Sequence, residues 1–358
     1  MRIGRRGVLV ALGLCLGAYS VGMGVYAVAS TRPQVASQPV DAAEAAVALE
    51  RLGVAEVYPF ENDFVSTPHG RMHYARAGQG DPVLLLHGNP TWSFLYRHVM
   101  RDLSDGWQLI APDLIGFGLS EKLERPGDYS LDGHIDDVSR LVESLDLRNL
   151  TLVVQDWGGP IGLGVWLRHP DRVRGLVVMN TYGFSPRIPG DGPARELALR
   201  VARAPLMGEQ LVQGLGLAQR LLLRSSLAPG ADRTLRAYLG VQGSWPERAG
   251  ALAFPRWVPS DRGDPAAELM ARARARLEHG APRALLLWGM RDPLLGPRVF
   301  DEWRAALPDA DVVELEHVGH LPPEEAPQDV AVALRRFLRG ESVPLVQVAA
   351  PPKGSADL

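Results

Sequence analysis

Three ionisable residues of this chain, Asp156, Asp292 and His320, each stand just past an apolar run that reads as a strand. Asp156 lies in Val154-Gln155-Asp156-Trp157-Gly158-Gly159, between an apolar run at 150–154 and a helical pattern at 161–168. Such a segment marks a sharp strand-to-helix turn that presents one side chain, and the two glycines let the helix pack close. Serine is the more usual residue at the tip, and it must lose a proton as it attacks. A carboxylate is already an anion near neutral pH. It can displace a leaving group from an sp³ carbon and be left as an alkyl ester. An aspartate here also reads as the N-cap of the following helix, and taken alone that is the commoner role.

The other two residues shift the balance. Asp292 follows the run at 284–288, in Gly289-Met290-Arg291-Asp292-Pro293, and His320 follows the run at 312–315, in Val318-Gly319-His320. The order nucleophile, acid, histidine is the one that completes a triad around such an elbow. Asp292 also reads as an Asp-Pro turn residue, and His320 as a hydrogen-bonded loop histidine with His317 as its rival. The place just past a strand, and Gly319 before it, favour His320. The preceding strand ends in Met179-Asn180-Thr181, which offers no carboxylate. That favours Asp292 as the acid.

The elements that must position these residues alternate. Buried strands are expected at 83–86, 108–111, 150–154, 173–179, 284–288 and 312–315, with helices at 131–145, 161–168 and 328–338. Continuous β-branched or leucine runs separated by helices indicate a parallel sheet covered on both faces. The segments 57–67 and 72–77 alternate instead, as an antiparallel edge hairpin does. From 183 to 280 no buried strand appears, and the chain is helical, leucine-rich and broken at Pro205, Pro229, Pro246 and Pro255. A helical block between two strands of a parallel sheet has the form of a cap over the crevice at the strand ends, where ligands bind. The expected organisation is a core at 47–182 and 281–340, a cap at 183–280 and a loose tail at 341–358.

The 358 residues are 46% hydrophobic and 22% charged, ordinary values for a globular chain. A net charge of −3 supplies no overall field for nucleic acid or anionic lipid. Cys15 is the only cysteine, so there is no intrachain disulfide, and its apolar surroundings rule out a catalytic thiol. No Cys/His group has the spacing of a zinc site. Arg2, Arg5 and Arg6 precede an uncharged run at 7–30, long enough to span a bilayer, which needs about 20 apolar residues. Three readings follow: an uncleaved anchor, a cleaved signal ending near Ala27-Val28-Ala29, and twin-arginine export. Each places the folded part on the extracytoplasmic side, and the anchor fits the long run best. A buried N-terminal helix is the bland alternative, against which the run shows no polar face. Residues 31–46, polar and rich in Ala and Pro, read as a linker.

The segment His87-Gly88-Asn89-Pro90-Thr91-Trp92-Ser93-Phe94-Leu95-Tyr96-Arg97 resembles the signature loop of haloalkane dehalogenases, enzymes of the α/β-hydrolase fold. The Val-Gln-Asp-Trp-Gly-Gly elbow is similar to theirs, as are Gly116-Phe117-Gly118-Leu119-Ser120 and the Gly-His turn at His320. The resemblance covers roughly 57–338. It implies a mostly parallel sheet flanked by helices with an inserted helical cap, and hydrolysis of a carbon–halogen bond through an ester on Asp156. It implies further that the Asn89 amide and the Trp157 indole N–H hold the departing halide, and that the backbone N–H groups of the same two residues hold the oxyanion. No cofactor or metal is implied; the partners are a small substrate and water. The physical reason for such donors is that fixed N–H groups stabilise charge growing on the leaving group where water is excluded. An Asn-Pro turn and a core tryptophan are the bland readings of the same two residues.

Epoxide hydrolases are the nearest rival on this resemblance. An epoxide oxygen needs a proton as it leaves, usually from cap tyrosines, and only Tyr182 and Tyr238 lie between the elbow and the end of the cap. Haloacid-cleaving relatives place an arginine after the nucleophile, where this chain has Trp157. A serine esterase is disfavoured because Ser120 and Ser144 lie outside elbows. A non-catalytic binding protein on the same scaffold is the alternative of another class.

Overall fold

A computed structural model of the protein describes residues 39–185, 193–259, 263–343 and 346–347. The N-terminal apolar run expected as an anchor or signal lies outside the described residues.

One nine-stranded sheet organises the chain, in the order β1-β2-β4-β3-β5-β6-β7-β8-β9. The strands are β1 Glu61–Thr67, β2 Gly70–Ala77, β3 Pro82–Leu86, β4 Gln108–Pro112, β5 Leu150–Asp156, β6 Val173–Thr181, β7 Arg283–Gly289, β8 Asp311–Leu315 and β9 Val346–Gln347. β1 and β2 form the antiparallel hairpin at one edge, and β2 also runs antiparallel to β4. From β4 onward every neighbouring pair is parallel. The central strands read as unbroken apolar runs because helices cover both faces; all of β3 and all of β5 are buried. Removing each Val or Leu side chain from water contributes roughly 1.5–3 kcal/mol.

Three boundaries differ from the sequence reading. A helix, Ala42–Leu52, begins inside the stretch expected as linker to residue 46. Asp41 caps it by accepting from the Glu44 N–H at 2.9 Å, and its alanine-rich sequence suits a helix once Ala45 and Leu49 are buried. β1 starts at Glu61 rather than near residue 57, because Tyr58 turns into the core and its hydroxyl bonds Ser93 at 2.5 Å. In the expected loose tail, Val346–Gln347 adds a short parallel strand to β8.

Between β6 and β7 the described residues contain helices and no strand: Pro193–Arg203, Leu217–Ser226, Asp232–Gly240, Ala249–Trp257 and Pro265–Glu278, with a π-helical turn at Glu209–Gly214. Two of these touch the strand ends directly. Ala249–Trp257 brings Phe254 and Trp257 against Trp157, and the Ala251 carbonyl accepts from the Asn89 side chain. Pro265–Glu278 presents Ala266, Ala267 and Met270 to a cleft beside Trp157.

Candidate active site

Asp156 is the last residue of β5, and its φ of +49° puts it in the left-handed region. For a residue with a Cβ this conformation costs on the order of 1–3 kcal/mol and persists only where the surroundings enforce it. The enforcement is visible. The Thr181 hydroxyl donates to the Asp156 carbonyl at 2.5 Å. A Cβ on Gly158 would lie 2.2 Å from the Leu86 carbonyl oxygen, and one on Gly159 would lie 1.8 Å from Thr181 Oγ1. Gly159→Ala should therefore cost about 2–3 kcal/mol by overpacking, read as a lower midpoint in urea unfolding. An unchanged midpoint would show that the elbow helix has room to shift.

The N-cap position of the elbow helix is held by Trp157, with no side-chain cap bond. The Asp156 carboxylate instead accepts the Asn89 N–H at 2.8 Å. Gly88 is needed for that approach, since a Cβ there would meet Asp156 Oδ1 at 2.3 Å. Burial raises the Asp156 pKa above the usual carboxylate range, while the charge of His320 and the N–H groups of Asn89 and Trp157 oppose the rise.

His320 stands across from it. Its Nδ1 lies 2.8 Å from Asp292 Oδ2, and its Nε2 lies 3.7 Å from Asp156 Oδ2. Nε2 is buried and has no hydrogen-bond partner. Burial alone would lower the pKa of His320, but the charge and hydrogen bond of Asp292, then the charge of Asp156, outweigh it and lift it to about 9. Asp292 moves the other way: burial pushes it up, yet His320 and the N–H groups of Leu294 and Leu295 hold it below the usual range. His320, not His317, is thus the histidine that meets both aspartates.

Asn89 and Trp157, expected as halide donors, stand beside Asp156. One Asn89 Nδ2 hydrogen goes to the Ala251 carbonyl at 3.1 Å, which fixes the amide and leaves its second hydrogen. The Trp157 ring is 2% exposed and packs on Tyr182, Phe254 and Trp257. It forms one wall of the cleft, with Tyr182, Phe184, Pro259 and Met270 among the others, a mostly apolar lining. Tyr238 is buried on Phe94 and gives its hydroxyl proton to Glu324 at 2.6 Å, so it is committed within the structure.

Sequence reasoning missed the residues that hold the triad. Asn180 donates to Asp292 Oδ2 at 2.9 Å and to the Gly289 carbonyl at 3.0 Å, and accepts from the Gly289 N–H at 2.7 Å. Glu325 accepts from the N–H groups of Gly319 and Leu321 and so clamps the turn that carries His320. Gln155 donates to the His320 carbonyl at 2.9 Å. The one available signal was the place of Asn180 at the tip of a strand. Asn180→Ala removes a bond to a charged group, worth about 1.5–3 kcal/mol. The expected result is kcat lowered on the order of tenfold with little change in KM; a large rise in KM alone would contradict the assignment.

A family model described as alpha/beta hydrolase fold matches residues 81–327. Haloalkane dehalogenase 2 of Mycobacterium tuberculosis is 35% identical over 282 residues, 78% of this chain and 95% of that one. The cis-3-alkyl-4-alkyloxetan-2-one decarboxylase of Shewanella oneidensis is 36% identical over 285 residues, 78% of this chain and 89% of that one. Among solved structures, the haloalkane dehalogenase DatA from Agrobacterium tumefaciens C58 superposes with a TM-score of 0.72 at 30% identity, covering 78% of this chain and 96% of that one. Sheet order, elbow and family model together make this an α/β hydrolase. Within that fold the chain belongs to the haloalkane dehalogenase family.

Proposed function

We propose that the protein is a haloalkane dehalogenase with Asp156 as nucleophile. The observation that carries the reading is an aspartate on a strained elbow, held by the Asn89 N–H, with the unpartnered Nε2 of a paired histidine 3.7 Å from its other oxygen. An Asp156 oxygen attacks the carbon bearing the halogen; the carbon–halogen bond breaks and the halide leaves toward the Asn89 amide and the Trp157 indole N–H. The ester then has its carbonyl oxygen beside the backbone N–H groups of Asn89 and Trp157, which stabilise the oxyanion of the next step. His320 takes a proton from water as the water oxygen attacks that carbonyl, and Asp292 stabilises the imidazolium. Alcohol, halide and a proton are released, and the Asp156 carboxylate is restored. Water is the only co-substrate.

A second reading is favoured by the Shewanella relative. In an oxetan-2-one the leaving group at the ring carbon is a carboxylate, an anion that the same donors suit. Attack by Asp156 on that carbon opens the ring; loss of carbon dioxide with expulsion of the Asp156 carboxylate then gives an alkene, with no water consumed. One assay separates the two. With 1-bromobutane the dehalogenase reading expects bromide and 1-butanol. Carbon dioxide and alkene from a cis-3,4-dialkyloxetan-2-one, with no bromide released from any bromoalkane, would overturn it. Turnover of styrene oxide alone would instead select the epoxide hydrolase alternative.

We propose as well that the apolar run at 7–30 brings the enzyme to a membrane, as anchor or export signal. Recovery of the full-length chain only in the soluble cytoplasmic fraction would refute this.

A further inference from the structure

We propose that the outer face of the helices Pro193–Arg203 and Leu217–Ser226 rests on the surface of an anionic lipid bilayer. This goes beyond the reaction at Asp156 and does not depend on which leaving group is correct.

The argument begins with where apolar surface is left in water. Ten large hydrophobic side chains are exposed among the described residues. Six of them, Leu197, Leu206, Met207, Leu215, Leu217 and Leu221, fall in one 25-residue stretch. Three more, Val40, Val47 and Val57, flank or lie on the Ala42–Leu52 helix. The tenth is Val332, on the Pro327–Leu338 helix. Isolated exposed hydrophobics need no explanation, but a concentration of them marks an interaction surface.

The two groups belong to the same side of the molecule. Arg233, on the helix Asp232–Gly240, donates to the Gly53 carbonyl just past the Ala42–Leu52 helix. The Asp232–Gly240 helix packs both on Ala42–Leu52 and on Leu217–Ser226. The described structure therefore begins beside these helices, and residues 31–38 separate it from the uncharged run at 7–30. A run long enough to enter a bilayer thus precedes this part of the structure in the sequence.

Charge selects the kind of surface. Residues 197–231 hold Arg200, Arg203, Arg220 and Arg224 against a single carboxylate, Glu209, which is paired with Arg256 at 2.6 Å; Arg203 is turned onto the Val258 carbonyl, and Arg200, Arg220 and Arg224 are exposed. This is a local excess of basic charge on a chain whose net charge is −3. Leucines interleaved with arginines on short amphipathic helices are the composition of an interfacial helix, apolar side chains below the headgroups and guanidinium groups among the phosphates. Leu206 adds a second sign. It is 64% exposed and held at φ +68°, a strained conformation that projects an apolar side chain into solvent. Ala249–Trp257, whose Phe254 and Trp257 stand against Trp157, packs beside the Pro193–Arg203 helix, where Arg256 donates to the Ala202 carbonyl.

The test uses the full chain with Cys15→Ser and one labelling position at a time: Leu217→Cys, Leu221→Cys, or Val332→Cys as the control. Each carries an environment-sensitive fluorophore and is mixed with vesicles of phosphatidylcholine and phosphatidylglycerol bearing nitroxide lipids. The expected result is at least twofold quenching at 217 and 221, none at 332, and loss of the effect when Arg220→Glu and Arg224→Glu are combined. Bromide release from a short, water-soluble bromoalkane should be unchanged in that double variant. Labels at 217 and 221 that stay as unquenched as 332 would overturn the proposal. So would excimer-type proximity between labels of two copies without lipid, which would assign the face to self-association.

Discussion

His320→Ala is expected to stop turnover after one event and leave the carbon skeleton of the substrate esterified to Asp156. In the proposed cycle the first step needs only the carboxylate, its Asn89 N–H and the anion donors, none of which this change removes. The second step needs a base for water, and the only imidazole nitrogen facing the nucleophile is His320 Nε2. A positioned general base contributes about 10²–10⁴-fold, so ester hydrolysis should fall by about that factor while the halide burst persists. Intact-protein mass spectrometry after incubation with 1-bromobutane should show one butyl group in place of one proton. A variant that releases no halide burst and carries no adduct would sink the covalent mechanism.

The same residue sets the pH dependence. A base must be neutral to accept a proton, and in the resting enzyme His320 is held charged up to about pH 9 by Asp292 and Asp156. Alkylation turns Asp156 into a neutral ester and removes one of those two anions. The pKa of His320 therefore falls within the intermediate, and more of it becomes neutral at a given pH. Ester hydrolysis should accelerate as pH rises toward that lowered value, with its midpoint below 9. The alkylation step instead has an acid limb, set by Asp156, whose pKa burial has raised. Single-turnover rates of the two steps between pH 4 and pH 10 check both limbs. A hydrolysis midpoint above that of the free enzyme would contradict the charge argument.

Asp156→Gly carries the other large effect. Activity should fall roughly 10⁵-fold or more, since removing a covalent nucleophile leaves only binding and the anion donors. Stability should rise at the same time, by about 1 kcal/mol. Glycine adopts φ of +49° without strain, and a buried carboxylate with a raised pKa is lost. The orphaned Asn89 N–H offsets part of the gain. A thermal midpoint that rises while bromide release vanishes would identify Asp156 as a residue kept at a cost to the fold. A lowered midpoint would instead make it a structural residue of the turn.

How much of this was legible without coordinates follows from the range over which each signal acts. The period of apolar residues is local, and it placed the strands at 83–86, 150–154 and 173–179 within a few residues of β3, β5 and β6. The Gly158-Gly159 pair announced a close strand–helix approach, and the contacts at Leu86 and Thr181 are its cause. The place of Asp156, Asp292 and His320 just past strand ends followed from the same runs. Parallel strands deliver all their carboxyl ends to one edge, so three local positions became one expected site.

What the sequence could not determine is which side chains meet once they share that edge. Strand order is not chain order: β3 lies between β4 and β5. Asn180 reaches Asp292 across 112 residues, and Gln155 reaches the His320 backbone across 165. No periodicity encodes contacts of that separation. The same holds for the helices between β6 and β7. Tyr182 and Tyr238 were indistinguishable in the sequence, yet packing set Tyr182 against Trp157 and buried Tyr238 on Glu324. Residue types and local spacing determined that an elbow, an acid and a histidine would converge. Only the tertiary structure decided the angles and partners that leave Nε2 of His320 unpartnered and aimed at Asp156, because those depend on how the sheet twists and on which helix covers each strand end.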